Sequence, residues 1–293
     1  MPISESEGRA RAPVAIRIRD VPPLAGLAWI RAGFRLFARR PGGFLGLTAV
    51  AYIAIFLVLL AVPTILQPLW LLLIPLGSLG FMVATQAVLD DLPAQPGAFL
   101  APLRTSPAQR WALVQIGFLY VLTALAAYVV GNWIDGGEAV RWMMAVATPT
   151  PAGTPTLPPP LSAAGTVSLL LQTSWLVFVS VPLWHAPALV HWGRQRALQA
   201  MFSSIVAVWH TRGAFFVYHL GWWVVSVLAM MAISVATALA GTPVLVVMLL
   251  LAAMWPLSTI FYVTFWYSFA DTFEIRVTPA NGSAVDAPDE LAR

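Results

Sequence analysis

The stretch Gly43-Phe-Leu-Gly-Leu-Thr-Ala-Val-Ala-Tyr-Ile-Ala-Ile-Phe-Leu-Val-Leu-Leu-Ala-Val62 decides the fold. It runs for 20 residues without Asp, Glu, Lys or Arg. At about 1.5 Å per residue, a helix of that length crosses a hydrocarbon core of about 30 Å. Five further uncharged apolar runs follow, at 65–89, 111–130, 166–190, 214–239 and 244–270. All are long enough to span as helices, and they are too long and too evenly apolar for barrel strands, whose faces alternate. Open strands in lipid would leave backbone groups unpaired, so helices are expected. Composition agrees: 59% of residues are hydrophobic and 10% charged, against about 45 to 50% and 25% in soluble domains. The absence of cysteine excludes a disulfide framework, thiolate metal sites and thiol nucleophiles.

The charges report topology. All 16 basic residues are Arg. Arg9, Arg11, Arg17, Arg19, Arg31, Arg35, Arg39 and Arg40 precede the first run. Arg104 and Arg110 separate the second from the third, Arg194, Arg196 and Arg212 the fourth from the fifth, and Arg276 and Arg293 follow the last. The opposite connections, 63–64, 131–165 and 240–243, hold Arg141 alone, a ratio of 15 to 1. The positive-inside rule therefore expects both termini in the cytoplasm. Topology explains the net charge of +4 better than nucleic acid does, because a phosphate-binding patch needs a folded reader and none is visible. The 42 residues ahead of the first run, and its full length, argue for a retained span rather than a cleaved signal.

One plan recurs three times: a cytoplasmic amphipathic segment, an Arg-containing turn with an aromatic, an outward span and a returning span. The turns read Phe37-Ala-Arg-Arg-Pro-Gly-Gly-Phe44, Arg104-Thr-Ser-Pro-Ala-Gln-Arg-Trp111 and Trp209-His-Thr-Arg-Gly-Ala-Phe215. The returning spans share Pro75-Leu76, Pro182-Leu183 and Pro256-Leu257, and each Pro is expected to kink its helix. The fold class expected is an all-α bundle of six transmembrane helices with cytoplasmic elbow helices and a threefold hairpin repeat. Residues 1–23 form an N-terminal tail, 24–275 the membrane domain and 276–293 a disordered tail. Residues 131–165 form a Pro-rich periplasmic spacer after a short helix at Glu138–Val146. Val14–Arg19 and Phe273–Val277 alternate apolar and polar residues, which makes them candidates for a two-stranded ribbon.

The first elbow, with Trp29, Ile30, Gly33, Arg35, Leu36, Phe37 and Pro41, fits the pattern Trp-Ile-x-x-Gly-x-Arg-Leu-Phe-x-x-x-Pro. In this stretch the chain resembles a group of uncharacterised multi-pass inner-membrane proteins of proteobacteria that carry a domain of unknown function. The resemblance implies an inner-membrane location and supplies no catalytic residues.

Arg31, Arg35 and Arg39 recur every four residues on one side of this elbow, with Leu27, Ile30, Phe34 and Phe37 on another. Such a helix is expected to lie in the membrane interface. Trp29 and Phe37 would then enter the acyl boundary while the Arg stripe meets anionic headgroups. The segment from Arg194 to Thr211 repeats the theme, and 96–104 is a shorter version. His185 and His219 are the only histidines in the spans at similar depth, five residues from the cytoplasmic ends, so they are candidates to face each other across a polar cavity. Interhelical hydrogen bonding explains them better than a metal or proton site. Asp90 and Asp271 end returning spans, where the helix dipole disfavours negative charge. They are expected to pair with elbow arginines such as Arg31, Arg35, Arg39 or Arg104.

Metalloprotease, Walker A, dinucleotide-binding and hydrolase-elbow motifs are all absent. The expected function is therefore non-catalytic and without a cofactor: a scaffold or accessory protein that binds membrane lipids, a membrane-protein partner or a second copy. The competing reading is a passive or lipid-directed transporter with a cavity lined by Gln115, Tyr120, Thr173, Ser174, His185, His219, Ser258 and Thr264.

Overall fold

A computed structural model describes residues 14–147, 159–240 and 243–277. The proline-rich centre of the expected spacer, 148–158, and most of the tail expected to be disordered lie outside the described residues, but Arg276 and Val277 of that tail are strand residues. After strand β1 (Val14–Ile18) come helices α1 (Ala25–Arg39) and α2 (Pro41–Ala61), a 3-10 segment (Thr64–Leu72) and α3 (Leu73–Leu89). A second 3-10 segment (Pro96–Arg104) leads to α4 (Pro107–Asp135), α5 (Glu138–Ala147), α6 (Ala163–Leu183) and α7 (Ala186–His191). The chain closes with α8 (Ala197–His210), α9 (Arg212–Ala240), α10 (Pro243–Thr272) and β2 (Phe273–Val277). Six helical stretches are long and apolar enough to cross a membrane: Pro41–Ala61, Pro68–Leu89, Pro107–Asp135, Ala163–His191, Arg212–Ala236 and Met248–Thr272. The fold is an all-helical six-span bundle with one small ribbon.

Proline sets where spans begin and bend. Pro41, Pro107 and Pro243 open α2, α4 and α10, where a missing N–H costs nothing and φ is already helical. Arg40 leaves helical geometry at φ −140°, which separates α1 from α2. Ser106 caps α4 by accepting from the Gln109 backbone, with the Gln109 side chain reaching back. Inside the returning spans the three prolines act differently. Pro75 is the third residue of α3, where it interrupts no helix, and the span before it runs as a 3-10 segment around Pro68 rather than as the single α-helix expected over 65–89. The helical run containing Pro182 breaks at Trp184–His185 before α7 resumes. Pro256 is carried within α10.

The order elbow, outward span, returning span occurs three times, and each elbow packs on the hairpin before it in a ring. The 3-10 elbow lies on α3, α8 lies on α6 and α7, and α1 lies on α9 and α10, so the first elbow closes on the last hairpin. The contact of α1 is close because Gly26 and Gly33, seven residues apart, share its inner face. A Cβ on Gly26 would stand 2.1 Å from the Ala214 carbonyl oxygen, and one on Gly33 would stand 2.4 Å from Thr264 Cγ2. The ribbon reinforces this closure: β1 and β2 pair antiparallel from Val14 with Val277 to Ile18 with Phe273, and Arg19 N donates to Thr272 O at 2.9 Å.

Burial concentrates near the elbows. The buried residues of α2, Phe44, Leu47 and Thr48, all lie in its first turns, while Ile53, Phe56 and Leu60 are exposed further along. The main core gathers Trp29, Leu79, Met82, Leu113, Ile116, Trp184, Leu189, Phe215, Tyr218 and Trp266. On the far side, α4 ends where Gly136 takes a left-handed conformation, φ +61°. Asp135 then accepts from Gly137 N and Ala139 N at 2.7 and 2.8 Å, which starts α5. Glu138 accepts from both the Ser162 backbone and hydroxyl and so ties α5 to the start of α6.

Two expectations follow. Gly26→Ala should lower unfolding free energy by about 1 to 3 kcal/mol, because the nearest obstacle is backbone, whereas Gly42→Ala, with nothing within 4 Å of its Cβ, should not destabilise. Denaturant titration in detergent reads the difference. The Ser162 hydrogen bonds hold the Glu138 carboxyl below its ordinary value of 4.5. Its contribution is then fully present above that value and disappears as pH falls through the lowered pKa. Amide-exchange protection at Ser162 should drop in that acid range and become pH-independent in Glu138→Gln.

Candidate functional site on the elbow face

Helix α1 has two faces, and the structure assigns them differently from the expectation for its aromatics. Gly26, Trp29, Ile30, Gly33 and Leu36 are buried against α9 and α10, and Arg31, Arg35 and Arg39 are exposed. Trp29 is no membrane anchor. It is 1% exposed and its Nε1 donates to Asp271 Oδ2 at 2.6 Å. Its ring packs on Phe215 and Tyr218 at centroid distances of 5.6 and 5.9 Å. Phe37 is half-buried and stacks on Phe44. The apolar face of α1 thus serves the bundle, not the lipid. Gly26 and Gly33, on the same face as Trp29, were the sequence signal for it, since glycines at that spacing permit close helix approach.

The expected ion pairs between elbow arginines and Asp90 or Asp271 do not form. Asp271 is engaged by Trp29, and Asp90 is exposed as the C-cap of α3. Geometry explains the difference: Arg31 follows Trp29 by two residues, about 200° around a helix, so one carboxylate cannot meet both. Among the described residues the ion pairs are Arg19 with Glu274 at 3.9 Å and Arg276 with Glu274, and His210 Nε2 is hydrogen-bonded with Asp20 Oδ1 at 2.7 Å. A hydrogen bond from Arg276 is the main reason the Glu274 carboxyl is held below its ordinary range, with Arg19 and Arg17 adding to it.

The result is an elbow face rich in uncompensated positive charge. Arg40, Arg104, Arg110, Arg194, Arg196 and Arg212 are exposed alongside Arg31, Arg35 and Arg39, without a carboxylate partner among the described residues. Arg194 and Arg196 line a hollow of about 240 Å³ with Ser106, Gln109 and Gln195. Helix α8 sits beside it. Its small residues Ala197, Ala200, Ser204 and Ala207 face the protein, and Leu198, Phe202, Ile205 and Trp209 face outward. A row of large apolar side chains level with exposed arginines is the arrangement of a helix lying in an interface.

The two span histidines have separate environments. His185 is fully buried at the break after α6, with Nε2 3.2 Å from Ser268 Oγ and its ring among Phe215, Phe269 and Phe273. Its backbone N–H donates to Ser204 Oγ at 3.1 Å, which locks the break onto α8. His219 Nδ1 is 2.7 Å from the Phe215 carbonyl, one helical turn back, and its ring lies against Trp184 at 5.4 Å. A cavity of about 350 Å³ does lie between the hairpins, lined by Tyr120 and His219 as expected but by Trp184 where His185 had been expected. Gln115, Thr173, Ser174, Ser258 and Thr264 are not in its lining, which is mostly apolar. Thr264 instead accepts from the Tyr218 hydroxyl, and Ser258 meets Tyr52. Among the described residues, no three His, Asp or Glu side chains are grouped as metal ligands are.

The chain is 26% identical over 263 residues to a probable inner membrane protein of Burkholderia thailandensis, which covers 89% of this chain and 95% of that one. No family model matches it, and no solved structure does. With the six apolar spans, this likeness identifies a multi-pass membrane protein.

The Trp29–Asp271 bond should be measurable by a double-mutant cycle. Trp29→Phe is expected to cost about 1.5 to 3 kcal/mol, the worth of a hydrogen bond to a charged group, since the exposed Asp271 carboxylate is then left to water. Asp271→Asn keeps an acceptor and should cost less than about 1 kcal/mol. The two should be non-additive in denaturant titrations.

Proposed function

We propose that the protein is a non-catalytic scaffold of the inner membrane whose elbow face lies in the cytoplasm and binds anionic lipid. The observation that carries this reading is the exposed stripe Arg31, Arg35 and Arg39, opposite a face of α1 already occupied by α9 and α10. Arginines without carboxylate partners beside the outward apolar row of α8 match a surface of anionic headgroups over acyl chains. The bias of 15 arginines to 1 supports the cytoplasmic placement, and the name of the relative supports the inner membrane. The relative carries no statement of process, so the reading rests on the surface.

Each arginine near an anionic surface contributes about 1 kcal/mol. Arg31→Gln/Arg35→Gln/Arg39→Gln should therefore reduce retention of phosphatidylglycerol and cardiolipin in native mass spectra by one to two orders of magnitude, roughly. Phosphatidylcholine retention and thermal stability should be unchanged, since these side chains make no ion pair in the described structure. Equal retention of anionic lipid by the variant and the parent would overturn the reading.

A further inference from the structure

The cavity between the hairpins has no part in the elbow surface, and its chemistry is specific. It is formed where α3, α4, α6, α9 and α10 come together, and its walls are chiefly Ile74, Pro75, Leu183, Trp184, Phe261 and Phe265. No charged residue lines it. Five polar groups do: Ser78, Tyr120, Ser180, His219 and Tyr262. Both serine hydroxyls already donate to backbone, Ser78 to Pro75 O at 2.9 Å and Ser180 to Val177 O at 2.6 Å, so each offers a lone pair. The short contact from His219 Nδ1 to Phe215 O requires the proton on Nδ1, because a carbonyl only accepts. That leaves Nε2 as an acceptor. The Tyr120 and Tyr262 hydroxyls lie on the lining without a hydrogen-bond partner among the described residues, and each can donate.

Position narrows the occupant. His219 lies seven residues into α9, about 10 Å along its axis from the elbow end. Tyr120 lies thirteen residues into α4, about 20 Å from the same face. The cavity therefore occupies acyl-chain depth. Leu176 and Val177 on its rim are 43% and 62% exposed on the outer wall of the bundle, so its mouth meets lipid, not water. A site entered from the acyl layer, without a cation or anion, excludes charged ligands on desolvation grounds. Its volume of about 350 Å³ is at the small end of the range of about 300 to 1,000 Å³ for ligand sites, enough for a ring or part of one chain.

We propose that this cavity binds a neutral lipid-phase alcohol: an apolar body against Trp184, Phe261 and Phe265, and one hydroxyl that donates to His219 Nε2. A hydroxyl supplies the donor that this acceptor needs, which a hydrocarbon or a ketone does not. Free long-chain alcohols and neutral glycerides share this chemistry.

The test uses the full chain in detergent with a photoreactive 1-dodecanol, and with matched dodecane and dodecanoate probes. Saturable labelling by the alcohol is expected on the peptides carrying Leu176, Val177 and Phe261, with at least about tenfold weaker labelling by the other two. His219→Phe should weaken alcohol labelling by about 2- to 12-fold, the effect of one neutral hydrogen bond. His219→Gln, which keeps an acceptor, should restore much of it, and Val177→Trp should abolish it by filling the rim. Unlabelled dioctanoylglycerol that competes as well as dodecanol assigns the site to glycerides, and failure to compete assigns it to free alcohols. Equal labelling by all three probes, or labelling indifferent to His219→Phe in a variant of unchanged thermal stability, would overturn the proposal. The elbow arginine variant should label normally, so failure of the lipid-surface reading is separable from failure of this one.

Discussion

The closure of α1 on α9 and α10 is the constraint on which the rest of the structure depends. In lipid, apolar surface gains little by leaving a solvent that is equally apolar, so helices must associate through close packing and hydrogen bonds. Gly26 and Gly33 provide the first by bringing the α1 backbone down onto Ala214, Ile260 and Thr264. Trp29 provides the second by reaching Asp271 at the far end of the chain. Further polar contacts between spans continue the logic: Tyr218 with Thr264, Thr48 with Thr259 and Trp184 with Ser268. Most lie in the elbow half of the bundle, where burial is also concentrated. Without the first elbow in place, the last hairpin would lose its inner cover and the ribbon would lose one of its strands' supports.

The ring of elbows on preceding hairpins also explains why the repeat survives weak sequence similarity. Each elbow fulfils one geometric task with different means: an α-helix with glycines at the first, a 3-10 turn set against Gly80 through Phe99 at the second, and an Ala/Ser face at the third. What the three share is small residues at the contact, on one partner or the other. That is a property of packing distance, which many sequences satisfy.

The sequence made the spans legible because charge is nearly forbidden in them and proline marks their starts. The ribbon was legible from period-two alternation at both flanks. The orientation of α1 was not. An amphipathic helix beside a membrane has two apolar partners available, and Leu27, Ile30, Phe34 and Phe37 do not say which one each will meet. Trp29 belonged to the buried set because of its glycine neighbours, a cue outweighed by the usual place of tryptophan at interfaces. Asp271 shows a related ambiguity: charge complementarity points to arginine as its partner, whereas helical phase puts the Trp29 indole there. His185 and His219 matched in depth, yet depth does not fix rotation about a helix axis, and the break after Pro182 turned His185 onto Ser204 and Ser268 while Trp184 took the cavity wall.

The same helical phase links the core to the surface. Residues 29, 30, 33 and 36 of α1 are buried, which leaves 31, 35 and 39 on the opposite side by necessity. The arginine stripe is therefore presented by the contact that closes the ring, and no flexible arrangement of its own is needed. Rotating α1 to bring those arginines toward Asp271 would place guanidinium groups against Tyr218 and Ile260 and expose Trp29, so the stripe and the closure hold each other in register. The neutral cavity is protected by the same separation. Positive charge stays at the elbow face, the span interior stays uncharged, and a lipid-phase ligand and an anionic headgroup would be recognised at different depths of one bundle by groups that do not compete.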